Sequence, residues 1–363
     1  MLSKKIIKLS LNFSFFKFLL FYFSIFYGIS VFLRNVLFDV GIFSSKKYQI
    51  PIISVGNLSV GGTGKSPLVE YILRLTDSQY KVAVLSRGYG RNSKGFKWVK
   101  ITSSVKDVGD ESLQIVQKFP KINVAVSESR NEGIKEILIK GCDLILLDDA
   151  YQHRWVKPGL NVLLTTYDDL FVNDYLLPFG KLRESKKNFD RADIIVVTKT
   201  PYPLLPLDEY RLKEQIYPLH NQNLCFSYLE YLEPASLYNK KAVSFEGKEV
   251  ILVTAIASAK SLKEYVDSKA NVVSHFEFKD HYNFNKKDIV KIINCYNEID
   301  SKEKLILTTE KDATRLVLFE SYFNGIDIVY LPIKFKFHPK TNFNELILKY
   351  VEQNKVNSKI SRA

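Results

Sequence analysis

Cysteine is scarce in this chain, with three residues, Cys142, Cys225 and Cys295, spread over 363 positions. They are too widely spaced for a C-x-x-C metal pair and too few for a disulfide framework. We therefore expect reduced thiols and neither a structural zinc site nor a secreted disulfide-rich domain. The composition, with 46% hydrophobic and 25% charged residues, is that of a folded chain long enough for two domains of ordinary size.

Acidic residues are outnumbered, 39 against 52 lysines and arginines, which gives a formal net charge of +13. A basic surface fits nucleic acid, anionic lipid or a phosphorylated substrate, although lysine-rich usage throughout a proteome produces the same excess. No RNA- or DNA-binding motif accompanies the charge, so we expect no nucleic-acid partner. An anionic membrane surface and a phosphorylated substrate are the partners that fit.

Charge is almost absent from residues 11–33, LNFSFFKFLLFYFSIFYGISVFL, in which Lys17 is the only charged side chain. The uninterrupted part, residues 18–33, would form a helix of roughly 24 Å, shorter than a hydrocarbon core of about 30 Å. No small-residue cleavage site follows, which argues against a secretory signal peptide. Lysines lie on both sides of the segment, so the positive-inside rule leaves its orientation open.

We interpret residues 1–36 as a membrane-anchor helix. It could span the bilayer if Lys17 snorkelled, or it could lie in the interface with both flanking lysine groups on the cytoplasmic side. The alternative is a buried helix of a soluble domain, and the eleven phenylalanines and tyrosines between Phe13 and Phe38 argue against it.

One glycine is missing from the strict phosphate-loop pattern G-x-x-x-x-G-K-[ST], because Ser59 stands in its place. An apolar run at 49–55 precedes the loop and a helical pattern follows it, which is the strand–loop–helix order that such a loop requires. We expect the loop and Lys65 to bind the phosphates of ATP, and the Ser66 hydroxyl to bind Mg²⁺. The complete loop consists of Ser59, Val60, Gly61, Gly62, Thr63, Gly64, Lys65 and Ser66.

A second motif, LDD at 147–149, ends an unbroken apolar run typical of a central parallel strand. Asp148 and Asp149 are therefore expected to hold Mg²⁺ against the phosphates, and the pattern does not decide which of them contacts the metal. Strand-like runs at 81–86, 122–127, 161–166 and 193–200 alternate with helical stretches around 111–118 and 130–140. This alternation predicts an α/β fold with a P-loop NTPase-like parallel sheet flanked by helices.

The predicted division of the chain follows these patterns. After the anchor helix we expect a P-loop nucleotide-binding domain at 37–220, a linker at 221–245, a smaller C-terminal α/β domain at 246–352 and a flexible tail at 353–363.

Taken in order, the motifs resemble those of one family, tetraacyldisaccharide 4′-kinase. They are GNLSVGGTGK (56–65), SRGYGR (86–91), GDE (109–111), LDDAYQH (147–153), LPFGKLRE (177–184), KDHYNF (279–284) and LTTEKDATR (307–315). The chain departs from the family pattern at Ser112, Ala150 and Ala255, where the family commonly has proline, glycine and glycine. These changes affect local backbone geometry rather than the side chains that carry chemistry.

The resemblance implies a kinase that transfers the γ-phosphate of ATP, with Mg²⁺, to the 4′-hydroxyl of a tetraacyldisaccharide 1-phosphate in lipid A biosynthesis. It implies that Asp110 is the catalytic base, that His281 pairs with it directly or through water, and that Lys65 assists. From the residues alone, a helix N-cap is the favoured interpretation of Asp110, and a solvated loop residue that of His281. The weaker candidates for acceptor binding are Arg87, Arg130, Gln152 (with His153), Arg183 and Glu184. Each of them could also form a surface ion pair or a turn.

A glycolipid acceptor and cytosolic ATP meet at the inner (cytoplasmic) membrane, so we expect the catalytic domains to lie on its cytoplasmic face. We also expect the protein to be a monomer. The alternatives are a membrane-associated P-loop ATPase or GTPase switch and a nucleotide-binding scaffold without activity. TKTP at 198–201 resembles the guanine-reading NKxD motif but lacks its aspartate. The intact Lys65, Ser66, Asp110 and Asp148 argue against an inactive scaffold.

Overall fold

A computed structural model describes residues 2–280 and 282–360, with side chains described for 17–280 and 282–354. The chain forms two compact units, one comprising Met1–Tyr228 with Phe337–Ala363 and the other Leu229–Lys336. The helices are α1 Leu2–Asp39, α2 Lys65–Thr76, α3 Val105–Val108, α4 Asp110–Lys118, α5 Arg130–Ile139, α6 Pro206–Ile216, α7 Lys260–Asp267, α8 Lys286–Glu298, α9 Glu310–Leu316 and α10 Phe343–Ile360. Short 3₁₀ turns lie at Phe171–Asn173, Lys186–Arg191 and Val317–Tyr322.

The strands form two sheets. They are β1 Ile52–Asn57, β2 Val82–Ser86, β3 Lys97–Trp98, β4 Asn123–Val126, β5 Leu144–Asp148, β6 Leu160–Thr166, β7 Ile194–Thr198, β8 Asn223–Tyr231, β9 Ala235–Ser236, β10 Glu249–Thr254, β11 Asn271–Glu277, β12 Lys304–Thr309, β13 Ile328–Leu331 and β14 Ile333–Phe337. The larger sheet has the order β14-β8-β7-β6-β1-β5-β2-β4-β3, and the smaller has the order β11-β10-β12-β13-β9.

The central strands of the larger sheet run parallel, and β1 lies between β5 and β6. Every residue of β2, β5 and β7 is buried, as expected for apolar runs covered on both faces. Ile134 and Ile137 of α5 pack against β2 and β5, and Leu212 and Ile216 of α6 pack against β6 and β7. The predicted α/β sheet flanked by helices is confirmed, with its strand runs at the expected positions.

The topology determines where a site can form. The chain passes from β1 to β2 across β5 and later returns to β6 on the opposite side of β1, so the strand order reverses at β1. The register pairs Val55 with Asp148, which brings the carboxyl ends of β1 and β5 side by side. Ligands of open parallel sheets bind at such a reversal.

The smaller unit has its own parallel sheet, in which β10 pairs with β11 and β12, and β13 with β12. Its core contains Ile251 and Val253 of β10, packed with Ile289 and Ile292 of α8. The predicted second α/β domain is therefore present.

The limits of the two units differ from the predicted domain boundaries. The segment expected as a linker at 221–245 contains β8, which joins the larger sheet beside β7. Residues after Lys336 belong to the first unit, because α10 packs back on β1: the Tyr350 hydroxyl donates to Ile52 O (3.1 Å) and accepts from Ile52 N (3.0 Å). Apolar periodicity cannot reveal such a return of the chain to an earlier unit.

Within the described residues, α1 is the single helix long and apolar enough to cross a membrane, over Lys17–Asp39 with a mean hydropathy of 1.5. One face of α1 nevertheless contacts the rest of the first unit along most of this length, at positions about one or two helical turns apart. The contacts are Ser24 Oγ to Leu176 O (2.9 Å), Tyr27 Oη to Arg183 O (2.8 Å), Arg34 Nη2 to Gln152 O (2.7 Å) and Asn35 Nδ2 to Glu184 Oε2 (3.1 Å).

Candidate active site

The phosphate loop connects β1 to α2, as predicted. Gly61 and Gly64 adopt φ angles of 114° and 89°, which favour glycine and let the chain turn sharply into the helix. Lys65 opens α2, and its Nζ lies 3.2 Å from Asn57 Oδ1 at the end of β1. The loop thus has the backbone form that places N–H groups and a lysine around a phosphate.

Two other segments brace this loop. Val60 N donates to Lys181 O (2.8 Å), and Arg183 N donates to Leu58 O (2.7 Å). From the end of β7, the Thr198 hydroxyl donates to Thr63 O (2.8 Å). The loop is therefore held by the segment around 181–183 and by β7, and its conformation depends on residues more than a hundred positions away.

Asp149 adopts a φ of 45°, in the left-handed region, directly after β5. Its carboxylate accepts hydrogen bonds from Arg183 Nη1 at 3.0 and 3.1 Å, and Lys65 Nζ lies 3.6 Å away. Lys65 and Arg183 hold the pKa of this carboxyl below its usual range despite its partial burial. Asp149 is therefore an ionised group that neutralises two cations at the loop.

Asp148 has the opposite environment. It is 1% exposed, and neither carboxylate oxygen has a hydrogen-bond partner among the described residues. Burial, with the negative charges of Glu111 and Asp149, raises its pKa to about 7. A buried carboxylate without a hydrogen-bond donor costs folding free energy, and a bound cation would offset that cost.

Arg130 lies behind Asp148 and is itself buried. Its guanidinium donates to Ser127 O (2.7 Å) and to Asp148 O (3.3 Å), and burial lowers its pKa to about 10. These backbone contacts support the turn after β5 and favour a supporting role over direct contact with an acceptor.

The GDE motif reaches the same site. The Ser66 hydroxyl donates to Glu111 Oε1 (3.0 Å), which joins the start of α2 to the start of α4. Asp110 is buried in the first turn of α4, and its Oδ1 accepts from Glu111 N (2.9 Å). The N-cap of α4 is Gly109 with a φ of 84°, so Asp110 follows the cap instead of forming it.

The weaker candidates lie in different surroundings. Gln152 Nε2 donates to Asn57 O (2.8 Å), and Gln152 Oε1 accepts from Arg183 Nη1 (3.3 Å), so both side chains border the phosphate loop. Arg87 is exposed. Glu184 is 1% exposed and accepts from Asn35, Asn188 and Arg191, which favours positioning of α1 over contact with a substrate.

His153 is half-buried, and its Nε2 has no partner among the described residues. Burial, with the charges of Arg130, Arg34 and Arg87, lowers its pKa to about 4. Its imidazole is neutral at physiological pH. His281 lies outside the described residues, and its predicted pairing with Asp110 stays a prediction.

The family profile described as LpxK, tetraacyldisaccharide-1-P 4′-kinase, matches residues 16–352 of this chain. The chain belongs to this family. The resemblance seen in the motifs is therefore confirmed, and the chain is a kinase.

Curated members of the tetraacyldisaccharide 4′-kinase family cover nearly the whole chain. The protein of Parabacteroides distasonis is 41% identical over 354 residues, 94% of this chain and 96% of its own length. That of Bacteroides fragilis strain YCH46 is 40% identical over 349 residues, 92% of this chain and 93% of its own length. LpxK from Aquifex aeolicus, solved in complex with ATP, is 28% identical with a TM-score of 0.72, covering 93% of this chain and 99% of its own.

Three residues of this kinase site were not singled out from the sequence: Asn57, Glu111 and Thr198. Asn57 and Thr198 lie at strand ends beside the loop, and Glu111 stands in the GDE motif. The signal for Glu111 was present in that motif. Nothing local indicates Thr198, since its contact with Thr63 spans 135 positions.

Proposed function

We propose that this chain transfers the γ-phosphate of ATP to the 4′-hydroxyl of a tetraacyldisaccharide 1-phosphate, giving a lipid IVA-type product at the cytoplasmic face of the inner membrane. The observation that carries the proposal is the convergence of three separate motifs. Ser66 of the phosphate loop contacts Glu111 of GDE, and Lys65 faces Asp149 of LDD. Phosphate-binding and acidic groups thus meet at one edge of the sheet, as phosphoryl transfer requires.

The loop from Ser59 to Ser66 binds the triphosphate. Lys65 neutralises the β- and γ-phosphates, and Asn57 and Asp149 hold the lysine at the mouth of the loop until nucleotide arrives. The helix N-terminus of α2 adds its partial positive charge.

The donor set fits Mg²⁺. The described residues contain no group of three or more histidine, cysteine, aspartate or glutamate side chains that could hold a metal, but Mg²⁺ in kinases uses one or two carboxylates together with phosphates and water. Asp148, whose two oxygens have no described donor, and the Ser66 hydroxyl would be its protein ligands, with Asp149 adjacent. Mg²⁺ there would neutralise charge on the phosphates.

Asp110 serves as the general base for the 4′-hydroxyl. Its burial at the start of α4 and its neighbour Glu111, bonded to Ser66, support this role. A carboxylate alone is a weak base near its unperturbed pKa of about 4, so a partner that shares or relays the proton increases its effectiveness.

The acceptor binds beside Asp149. Arg183 and Gln152 border the phosphate loop and offer donors of the kind that bind phosphate and hydroxyl groups. Arg87, exposed beside the buried Arg130, adds positive charge for an anionic acceptor.

Helix α1 brings the kinase to its lipid. Because Ser24, Tyr27 and Asn35 all bond to the first unit, a bilayer-spanning position would draw polar parts of that unit into hydrocarbon. An interfacial helix, with one face on protein and the other on lipid, avoids this cost. The net charge of +13 favours an anionic membrane surface, and we expect a monomer.

Transfer of label from γ-labelled ATP to a detergent-solubilised acyldisaccharide 1-phosphate, with Mg²⁺, tests the function. Asp110→Asn should lower the rate by about 10² to 10⁴, while Asp107→Asn, an exposed aspartate three residues earlier, should not. Equal ATP consumption with and without lipid, and no labelled lipid, would favour the ATPase or GTPase switch. ATP binding without any turnover would favour a scaffold.

A further inference from the structure

A short aromatic loop adjoins α1 on the first unit. Residues 174–180 connect the 3₁₀ turn at Phe171–Asn173 to Leu182, and they expose Tyr175 (63%) and Phe179 (37%) to solvent. The two rings contact each other edge to face at 5.3 Å, and Phe179 contacts Phe21 of α1 at 5.6 Å. Neither aromatic side chain has a part in the proposed phosphoryl transfer.

The exposure of these rings is fixed by the backbone. Asp174 Oδ1 accepts from Tyr175 N (2.7 Å) and from Lys181 N (3.2 Å). Leu182 N donates to Tyr175 O (2.8 Å), and Leu177 N donates to Leu182 O (2.9 Å). A loop held in this way presents its aromatic rings with little cost in conformational entropy when a partner binds.

The chemistry around the rings identifies a lipid surface as the partner. The exposed face of α1 continues the apolar surface with Phe18, Tyr22 and Phe26. The loop is followed by three exposed lysines, Lys181, Lys186 and Lys187. Tyrosine and phenylalanine flanked by lysine are the composition that the interface of an anionic bilayer selects. Lysine is depleted in protein–protein interfaces, so a lysine-rich surface favours the lipid.

We propose that residues 174–180 form a second bilayer-contacting element, which inserts Tyr175 and Phe179 into the interface of an anionic membrane beside α1. The proposal rests on the proposed contact of α1 with the membrane and adds a second point of attachment. Two points fix the rotation of the first unit about the α1 axis, which a single in-plane helix leaves free.

The loop also ends at the phosphate loop. Lys181 O accepts from Val60 N, and Arg183 N donates to Leu58 O, so the chain segment that touches lipid continues directly into the segment that braces the nucleotide site. The rotation fixed by the second contact therefore sets the height of the active site above the lipid surface.

Tryptophan fluorescence quenching in vesicles of phosphatidylethanolamine and phosphatidylglycerol tests the contact directly. The full-length chain carrying Phe179→Trp is compared with the wild type, which has Trp98 and Trp155. It is also compared with Tyr210→Trp, at an aromatic site on α6 that is more exposed than Phe179 (62% against 37%). With brominated acyl chains in the vesicles, we expect additional quenching at position 179 and none at position 210.

Vesicle partitioning measures how much the two aromatic side chains contribute to the free energy of membrane binding. The double variant Tyr175→Ser/Phe179→Ser should partition about tenfold more weakly than the wild type, which is about 1.4 kcal/mol. The control Leu207→Ser/Tyr210→Ser removes two exposed apolar side chains of α6 and should partition as the wild type does. The aromatic-to-aromatic Phe179→Trp keeps the test valid if the double variant fails to fold.

The outcomes separate this proposal from the one on which it rests. A wild type that does not bind vesicles would overturn the membrane contact of α1. Vesicle binding by the Phe179→Trp variant without quenching of its introduced indole would overturn the loop contact alone. Concentration-dependent dimerisation abolished by the double variant, without an effect on vesicles, would show that the loop contacts a second copy and would likewise overturn the proposal.

Discussion

Nη1 of Arg183 lies 3.0 and 3.1 Å from the two carboxylate oxygens of Asp149, and the backbone carbonyl of the same arginine accepts a hydrogen bond from Tyr27 of α1 (2.8 Å). One residue thus contacts both α1 and Asp149, the first residue after β5. Arg183 thereby joins the LPFGKLRE motif to the LDD motif.

Arg183→Ala should lower kcat/KM by about ten- to hundredfold, because a hydrogen bond to a charged group contributes about 1.5–3 kcal/mol. The loss should be coupled to Asp149. In the Arg183→Ala background, Asp149→Ala should cost clearly less than it costs in the wild type. Arg211→Ala, which removes an exposed guanidinium paired with Asp208, is the control. Strictly additive losses would contradict the coupling.

The two adjacent aspartates should respond oppositely to loss of charge. Asp148→Asn should raise the thermal midpoint of the ligand-free protein at pH 8, because its carboxylate is buried without a donor. Each kcal/mol gained corresponds to about 2–4 °C in a unit of this size. Asp149→Asn should lower the midpoint, since Lys65 and Arg183 stabilise its charge.

Activity should fall in both aspartate variants, and most in Asp148→Asn if Asp148 is the metal ligand, by about 10² or more. The measurement is the thermal midpoint of the wild type and of each variant, with and without Mg²⁺ and ATP. A ligand-free Asp148→Asn protein that melts below the wild type would show that the carboxylate is stabilised by the fold.

Asn35→Asp should loosen α1 from the first unit. Asn35 is buried and donates to Glu184, so an aspartate there would bring two carboxylates together away from water, at a cost of roughly 3 kcal/mol. We expect a lower thermal midpoint and faster proteolysis near residue 34. Asn221→Asp, at an exposed position, should leave both unchanged, and equal behaviour of the two variants would refute the buried contact.

His153 should make stability fall with acid. Its pKa is about 4 in the folded chain and near 6.5 when unfolded, so the unfolded state binds the proton first. The stability is full above pH 6.5 and is lost as the pH falls towards 4. The thermal midpoint of His153→Gln should therefore decline less than that of the wild type between pH 6.5 and 4.5. Parallel declines would show that His153 is protonated in the folded chain.

Several features were predictable because their causes are local. The apolar run of β5 and the glycines before Lys65 indicate a buried strand and a tight turn in any context. The order of strand, loop and helix then restricts the topology, and the motifs identified the family. The α/β architecture and the membrane-type helix followed from these patterns.

Other features depended on residues distant in sequence. Ser66 and Glu111 are 45 positions apart, and Arg183 is 34 positions from Asp149. The predicted boundaries at 221–245 and 353–363 placed β8 and the end of α10 outside the unit that they complete, since a chain that returns to an earlier sheet leaves no mark in its own periodicity.

The sequence by itself determined the elements, the phosphate loop and the family, because these depend on residue type and short spacing. Only the tertiary structure decided that neighbouring aspartates have opposite environments. A φ of 45° turns Asp149 towards Lys65 and Arg183, while Asp148 stays buried with no donor among the described residues. The same holds for α1, whose composition fits a membrane span but whose contacts with Leu176 and Glu184 hold one face against the kinase. Burial and charge at these positions are set by which distant segments pack there, and that information is not contained in local pattern.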